Sequence, residues 1–225
     1  MFQFEIRRGS SEETDQRLDV EGFVEDLADR VIPHYERHAH AWDADRRKGS
    51  WNDKPWHDRF VSALPMGASV LDLGCGSVAP VALNMVACGL AVTGIDASPS
   101  LIALCRERMP DHRWIVGDMR FPPISPRFDG ILAWDSFFHL RYDDQRRVFR
   151  VFAKHSGRRA ALMFNAGPAH CKAVGSYRGD PLYHASLDPA EYQRLLDEIG
   201  FDIVAHVVED PGAGGRTVWL ARSRA

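Results

Sequence analysis

The chain has 225 residues, of which 45% are hydrophobic and 26% charged, with a formal net charge of −3. This composition is typical of a globular protein of one domain with a sizeable core. The slightly acidic balance argues against nucleic acid or an anionic membrane as a partner. The apolar stretches are too short and too interrupted to predict a membrane-spanning helix.

The four cysteines predict a reducing compartment. They form no C-x-x-C pair and no zinc-type spacing, so we interpret them as free intracellular thiols. The first residues lack the apolar segment of a signal peptide. We therefore expect a cytoplasmic protein.

A polar start over residues 1–20 precedes two cap helices. Apolar residues at helical spacing predict helices over residues 20–47 and 55–64, and Pro33 is expected to kink or split the first. This gives an N-terminal segment with cap helices at residues 1–54 and a second unit at 55–225.

Strands and helices then alternate, which predicts a doubly wound α/β sheet covered on both faces. The predicted strands are 69–73, 91–95, 113–116, 128–134 and 159–164, with helices at 80–88, 99–109 and 143–155. A helix over 189–199 and two strands, 202–208 and 216–221, complete the chain. The turn-rich link between these strands predicts a hairpin, so the sheet should end with an antiparallel strand.

A glycine-rich turn follows the first strand of this sheet. Gly74 and Gly76 let a ligand approach the backbone, and Asp96 ends the second strand, where a carboxylate can accept hydrogen bonds from ribose hydroxyls. The spacing Gly74-x-Gly76-x-x-Ala79 also fits the dinucleotide fingerprint. Asp72 would repel a pyrophosphate but favour a ligand amine, and Asp118 at the end of the third strand can accept from an adenine amino group.

The segments VLDLGCG, VTGIDAS and GDMR at these spacings resemble the class I S-adenosylmethionine-dependent methyltransferases. The resemblance implies a Rossmann-like, seven-stranded mixed sheet whose last strand is antiparallel, with residues 55–225 as the S-adenosylmethionine-binding domain. It also implies that Asp72 and the Gly74–Gly76 turn hold the methionine part of the cofactor. One departure is Val78, which stands where the family often has a third glycine.

The resemblance assigns the rest of the cofactor to the following strand ends. Asp96 would bind both ribose hydroxyls, while Asp118 and the Met119 backbone would fix the adenine. The remaining cofactor-binding candidates are Cys75, Ala97 and Trp134.

The end of the fourth strand is the candidate methyl-transfer face, because ligands of open α/β sheets bind at the carboxyl ends of the strands. His139 is either a general base, titrating near pH 6.5, or a residue that caps a helix or orients the cofactor. Asp135 either acts catalytically, holding substrate or cofactor, or caps a helix. Ser136 is a substrate candidate.

Two further segments could complete the site. The polar-aromatic crossover 176–184 is either a lid carrying the substrate contacts Tyr183 and His184 or an ordinary surface connection. Tyr35 and Trp42 either pack the cap helices or close over the cofactor. The histidines of the cap lack a matching set of carboxylates or cysteines, so no metal is expected; they are His34, His38 and His40.

The function expected from these features is in-line methyl transfer to a small-molecule acceptor, by a monomer or homodimer. A nucleic-acid methyltransferase would carry an Asn/Asp-Pro-Pro-aromatic motif where this chain has Ala-Trp-Asp-Ser. The alternatives are an NAD-type oxidoreductase, a protein methyltransferase and a cofactor-binding module without activity.

Overall fold

The structure is a computed structural model that describes Val24 and residues 26–224. The polar start predicted over residues 1–20 lies outside the described residues. Residues 26–29 are helical, and Arg30 forms a turn before the first long helix. The helix is therefore interrupted at Arg30, three residues before Pro33, where the interruption was expected. Pro33 is tolerated inside α1 because a proline in the first helical turn lacks only an N–H that would have no partner there.

Six helices surround the strands in the described part of the chain. They are α1 (Val31–Lys48), α2 (Lys54–Ser62), α3 (Val81–Ala87), α4 (Pro99–Arg108), α5 (Tyr142–His155) and α6 (Pro189–Glu198). Two of their starts follow directly from the sequence: the side chains of Ser98 and Asp188 accept hydrogen bonds from Leu101 N and Ala190 N, and a proline follows each cap. None of the described helices combines the length and apolar character needed to cross a bilayer.

Seven strands form one sheet in the order β3-β2-β1-β4-β5-β9-β8. The strands are β1 (Ser69–Leu73), β2 (Ala91–Asp96), β3 (Arg113–Val116), β4 (Phe128–Ala133), β5 (Ser156–Ala166), β8 (Phe201–Asp210) and β9 (Arg216–Ser223). Strands β1 to β5 pair in parallel, and β9 is antiparallel to both β5 and β8. The predicted doubly wound sheet with a terminal antiparallel strand is confirmed.

The core lies in two layers, one on each face of the sheet. Successive residues of each central strand alternate between the layers: Val70 packs on one side and Leu71 on the other. Residues of α2, α3 and α4 cover the first face, while α5 and α6 cover the second. Because the strand order reverses between β1 and β4, the carboxyl ends of these two strands leave a crevice, which is where ligands of open α/β sheets bind.

A second, two-stranded sheet occupies the crossover before α6, where the sequence predicted no strands. Strands β6 (Cys171–Tyr177) and β7 (Asp180–Ser186) form an antiparallel hairpin, with Gly179 at a φ of 85° in its turn. The hairpin packs on α1 through a small apolar cluster that includes Val31, Leu182 and Tyr183. We call α1 and this hairpin together the cover, because they lie over the crevice.

Candidate functional site

The crevice between β1 and β4 continues into a cavity beneath the cover. Most residues predicted for cofactor, catalysis or substrate line it. They are Asp72, Gly74, Cys75, Gly76, Asp96, Ala97, Asp118, Met119, Trp134, Asp135, Ser136 and His139. The cover contributes Tyr35, Trp42 and Arg46 to the same wall. The fold thus brings the cofactor candidates and the candidates at the end of β4 into one space.

The glycine turn after β1 requires two left-handed residues. Gly74 and Gly76 have φ angles of 79° and 58°, and a Cβ on Gly74 would lie 2.3 Å from the Cβ of Ser136. Ser136 Oγ donates a hydrogen bond to the carbonyl of Leu73 at 2.8 Å. In this structure the predicted substrate residue Ser136 therefore also fixes the end of β1 against the end of β4.

Val78, the departure from the family pattern, adopts the conformation that a glycine would favour. Its φ is 70° and its side chain is buried, ahead of a cis peptide bond between Ala79 and Pro80. A β-branched residue in this region is strained. The turn therefore keeps its glycine-like backbone at this position, although the side chain differs.

A buried carboxylate, Asp72, and a partly buried one, Asp96, flank the turn. Asp96 accepts a hydrogen bond from Gly76 N on one oxygen and from Ser98 N on the other, both at 2.9 Å. Burial raises the pKa of Asp96 to about 6, against the effect of these hydrogen bonds. Burial and the nearby charge of Asp96 raise the pKa of Asp72 to about 7. Both acids would therefore be stabilised as anions by a cationic ligand in the cavity.

Asp118, the predicted adenine acceptor, is engaged by a neighbour that the sequence did not single out. Arg120 binds both carboxylate oxygens of Asp118, with a shortest contact of 2.6 Å, and also contacts Asp144 at 2.9 Å. These contacts raise the pKa of Arg120, against the effect of its burial. Arg120 thus ties the end of β3 to α5, and it lines the cavity beside Met119.

The indole ring of Trp134 is fixed by contacts with Asp53 and His57. Its indole Nε1 donates to Asp53 Oδ2 at 2.6 Å, and its ring lies edge-on to His57. Burial alone would raise the pKa of Asp53, but hydrogen bonding and charge from His57, Trp134 and Arg216 lower it. The loop before α2 therefore fixes the orientation of the indole that lines the cavity.

Asp135 takes part in a buried ion pair. Arg216 on β9 donates two hydrogen bonds of 2.7 Å to its two oxygens, and Asn165 Nδ2 donates a third at 2.8 Å. Burial would raise the pKa of Asp135, but Arg216 and then Arg46 lower it. Asp135 is therefore a carboxylate whose oxygens are already bonded, which favours an anchoring role over action as a base.

His139 bridges the sheet and the cover. Its Nδ1 lies 2.8 Å from the carbonyl oxygen of Tyr183, and its Nε2 lies 2.8 Å from the hydroxyl of Tyr35. Because a carbonyl can only accept, Nδ1 carries the proton, and Nε2 accepts from the Tyr35 hydroxyl. Burial and the nearby His184 lower the pKa of His139 to about 3, so the titration near pH 6.5 expected from the sequence does not apply.

The predicted substrate contacts Tyr183 and His184 lie behind His139. The ring of Tyr183 is fully buried in the cluster that joins α1 to the hairpin, and only its carbonyl reaches the His139 ring. The ring of His184 packs on His139 with centroids 4.9 Å apart. Burial lowers the pKa of His184 to about 4. Both residues contact His139 and do not line the cavity. This arrangement does not match the predicted direct contact of Tyr183 and His184 with the substrate.

Residues 70–156 match the family model described as a methyltransferase domain. This segment contains the glycine turn, the carboxylates described above and His139. The seven-stranded sheet around this domain has the class I, Rossmann-like methyltransferase fold.

Two curated relatives each match about half of this chain. Magnesium-protoporphyrin O-methyltransferase of Rhodobacter capsulatus is 31% identical over 117 residues, covering 48% of this chain and 50% of the relative. Demethylmenaquinone methyltransferase of Thermotoga maritima is 33% identical over 116 residues, covering 49% of each. This chain thus spans about half the length of the curated relatives that it matches.

A solved structure shares the fold over nearly the whole chain. It is the Burkholderia thailandensis 1,6-didemethyltoxoflavin-N1-methyltransferase with bound 1,6-didemethyltoxoflavin and S-adenosylhomocysteine. The TM-score is 0.64 at 17% sequence identity, with 96% of this chain and 94% of that chain covered. This likeness extends the fold assignment beyond the methyltransferase domain.

Proposed function

We propose that this protein is an S-adenosylmethionine-dependent methyltransferase that acts on a small-molecule acceptor. The observation that carries the proposal is the pair of carboxylates, buried Asp72 and partly buried Asp96, on either side of a left-handed glycine turn in one cavity. The raised pKa values of Asp72 and Asp96 indicate that two negative charges are unfavourable in this part of the cavity. A cofactor that brings positive charge would offset this excess.

The residues present fit that cofactor. Gly76 has its closest neighbour for an added Cβ at 3.7 Å, so a ligand can lie against the backbone there. Asp96 keeps lone pairs for ribose hydroxyls beside its two backbone donors, and Asp72 favours a ligand amine. Asp118, Met119 and the residues around Trp134 would contact the adenine of the cofactor. When bound, the cofactor supplies a methyl group on a sulfonium, which is an excellent leaving group.

The acceptor is expected to lie between the glycine turn and the cover. Holding it in line is the main task of the protein, and positioning of this kind lowers barriers by roughly 7–11 kcal/mol in favourable cases. The Tyr35 hydroxyl and His139 Nε2 face this part of the cavity. We assign to this pair the orientation of the acceptor nucleophile, with the Tyr35 hydroxyl held in place by its hydrogen bond to His139 Nε2.

A small molecule is the acceptor class favoured by the surroundings. Helix α1 lines the cavity beside the glycine turn, and the relatives are named for magnesium-protoporphyrin, demethylmenaquinone and 1,6-didemethyltoxoflavin. The net charge of −3 gives no attraction to nucleic acid. The four cysteines are free thiols in the structure, which supports a cytoplasmic location. A monomer or homodimer remains our expectation.

The cofactor assignment is tested by thermal unfolding and calorimetry with S-adenosylhomocysteine and NAD. S-adenosylhomocysteine should raise the melting temperature, because a ligand specific to the native state stabilises it, and NAD should not. Asp96→Ala should weaken S-adenosylhomocysteine at least tenfold, since each lost hydrogen bond to a charged group is worth roughly 1.5–3 kcal/mol. Tight NAD binding without a response to S-adenosylhomocysteine would replace this proposal with an oxidoreductase.

The affinity for S-adenosylhomocysteine should rise with pH. The ligand amine is expected to bind the Asp72 carboxylate, whose pKa in the free protein is about 7. Raising the pH from about 5.5 to 7 should therefore strengthen binding roughly tenfold, with the amine still protonated. Calorimetry at both pH values checks this. Asp72→Asn should flatten the dependence, and an unchanged slope in that variant would assign it to another group.

A further inference from the structure

One cluster of possible metal ligands lies outside the cavity, where α1 meets the hairpin. His34 and His38 are one helical turn apart on α1, and Asp180 is the first residue of β7. The sequence predicted no metal here because no carboxylate stands at a matching spacing. The fold brings the Asp180 carboxylate into contact with His38, although the two residues are 142 positions apart in the chain.

The geometry of the cluster is close to that of a metal site. His38 Nε2 lies 2.9 Å from Asp180 Oδ2, and His34 Nδ1 lies 4.0 Å from the same oxygen. One ligand atom from each residue lies within 4.8 Å of the others. Atoms that share a tetrahedral Zn²⁺ are about 3.4 Å apart, so a shift of roughly 1 Å would complete the site.

His34 provides the second observation. Its side chain is only 5% exposed, and its Nε2 is buried without a hydrogen-bond partner among the described residues. Its Nδ1 is beyond hydrogen-bonding distance of the Asp180 carboxylate. A cation between Nδ1 and the Asp180 carboxylate would bond both groups and leave Nε2 as the protonated nitrogen of the ring.

Arg37 is the group that competes with a metal. Its guanidinium donates to Asp180 Oδ2 at 2.8 Å, but the side chain is 64% exposed. An exposed ion pair of this kind contributes little to stability. A divalent ion could therefore displace Arg37 from Asp180 at low cost.

We propose that His34, His38 and Asp180 bind a divalent transition-metal ion, with Zn²⁺ as the best match, and that the ion joins α1 to the hairpin. Two imidazole nitrogens and one carboxylate oxygen form a known type of zinc-ligand set, and water would complete the tetrahedron. The site lies beside Tyr35 on α1 and on the same hairpin as the Tyr183 carbonyl. The ion would therefore fasten together the two elements that hold His139 in place.

The test is titration of the tag-free, metal-depleted full chain with Zn²⁺ by calorimetry, together with thermal unfolding. We expect one ion per chain and a higher melting temperature. His38→Ala and Asp180→Asn should each weaken binding more than about 100-fold, since even outer-shell changes cost 10–100-fold. The matched control is His40→Ala, an exposed histidine of the same helix, which should bind Zn²⁺ as the parent chain does.

Arg37→Ala separates a metal site from a simple contact between a histidine and an aspartate. Removing the competing guanidinium should strengthen Zn²⁺ binding in this variant. Co²⁺ should give the visible absorption of a tetrahedral ion in the parent chain and in His40→Ala, and lose it in His38→Ala. Absence of stoichiometric Zn²⁺ binding would overturn the proposal, and so would equal affinity in the parent chain and His38→Ala.

Discussion

Replacing His139 with Ala is expected to lower the turnover number by about 100-fold, through misplacement of the Tyr35 hydroxyl, while leaving the affinity for S-adenosylhomocysteine nearly unchanged. The reason is that Nε2 fixes the hydroxyl that we assign to the acceptor, whereas the carboxylates assigned to the cofactor lie at the ends of β1 and β2. Turnover is followed as S-adenosylhomocysteine release with an acceptor that supports activity. Binding is measured separately by calorimetry.

Tyr35→Phe tests the partner of this pair without removing the ring. The variant lacks the hydroxyl that His139 Nε2 accepts from, so turnover should fall while the edge-on contact with Trp42 remains. Tyr192→Phe is the matched control, because it also deletes a buried hydroxyl, one that bonds Gln145 and Leu187 N. That variant should lose stability but keep its turnover number.

A structural role for His139 predicts a different pattern. His139→Gln can still donate a hydrogen bond to the Tyr183 carbonyl but has no ring nitrogen to fix the Tyr35 hydroxyl. Recovery of turnover in His139→Gln would mean that the histidine only positions the hairpin. Turnover should also lack a titration near pH 6.5, because burial lowers the pKa of His139 to about 3. A histidine-like step in the turnover number at that pH would contradict the neutral, buried His139 described here.

The elements of the fold that could be predicted are those whose pattern lies within a short stretch of sequence. Short apolar runs alternating with helical spacing predict the parallel sheet and helices over 99–109 and 189–199, close to the observed α4 and α6. The hairpin of β6 and β7 was missed because its strands show no regular alternation of apolar and polar residues and stand apart from the large sheet. Its stability comes from packing on α1, and contacts between segments so distant in sequence leave no periodic pattern.

The same distinction applies to the site. Asp72, the glycine turn and Asp96 follow one another closely along β1 and β2, and the structure places them in the cavity as expected. The contacts of Tyr35 with His139 and of Arg216 with Asp135 join residues 104 and 81 positions apart. Composition and spacing carry no information about such pairs. The pKa of His139 was also beyond sequence reasoning, because it depends on burial and on His184.

Arg216→Met is expected to lower the free energy of unfolding by about 3 kcal/mol, because it leaves the Asp135 carboxylate without its main partner. This loss is at the low end of the range for a buried ion pair. The Asp135 side chain is 14% exposed, and Arg46 Nη1 lies 3.7 Å from Asp135 Oδ2. Denaturant unfolding at neutral pH measures the change. Lys54→Met is the control: it breaks an ion pair with Asp58 in which both partners are nearly half exposed, and should cost less than about 1 kcal/mol.

Asp135→Asn then separates an anchoring carboxylate from a catalytic one. Asparagine tolerates the left-handed backbone of this position, where φ is 50°, and removes the charge. If the carboxylate is needed only to pair with Arg216, the double variant Arg216→Met, Asp135→Asn should be more stable than Arg216→Met alone, and a double-mutant cycle gives the coupling. Turnover in Asp135→Asn should then fall far less than in His139→Ala. A loss of turnover as large as that of His139→Ala, with stability unchanged, would instead make Asp135 the proton acceptor.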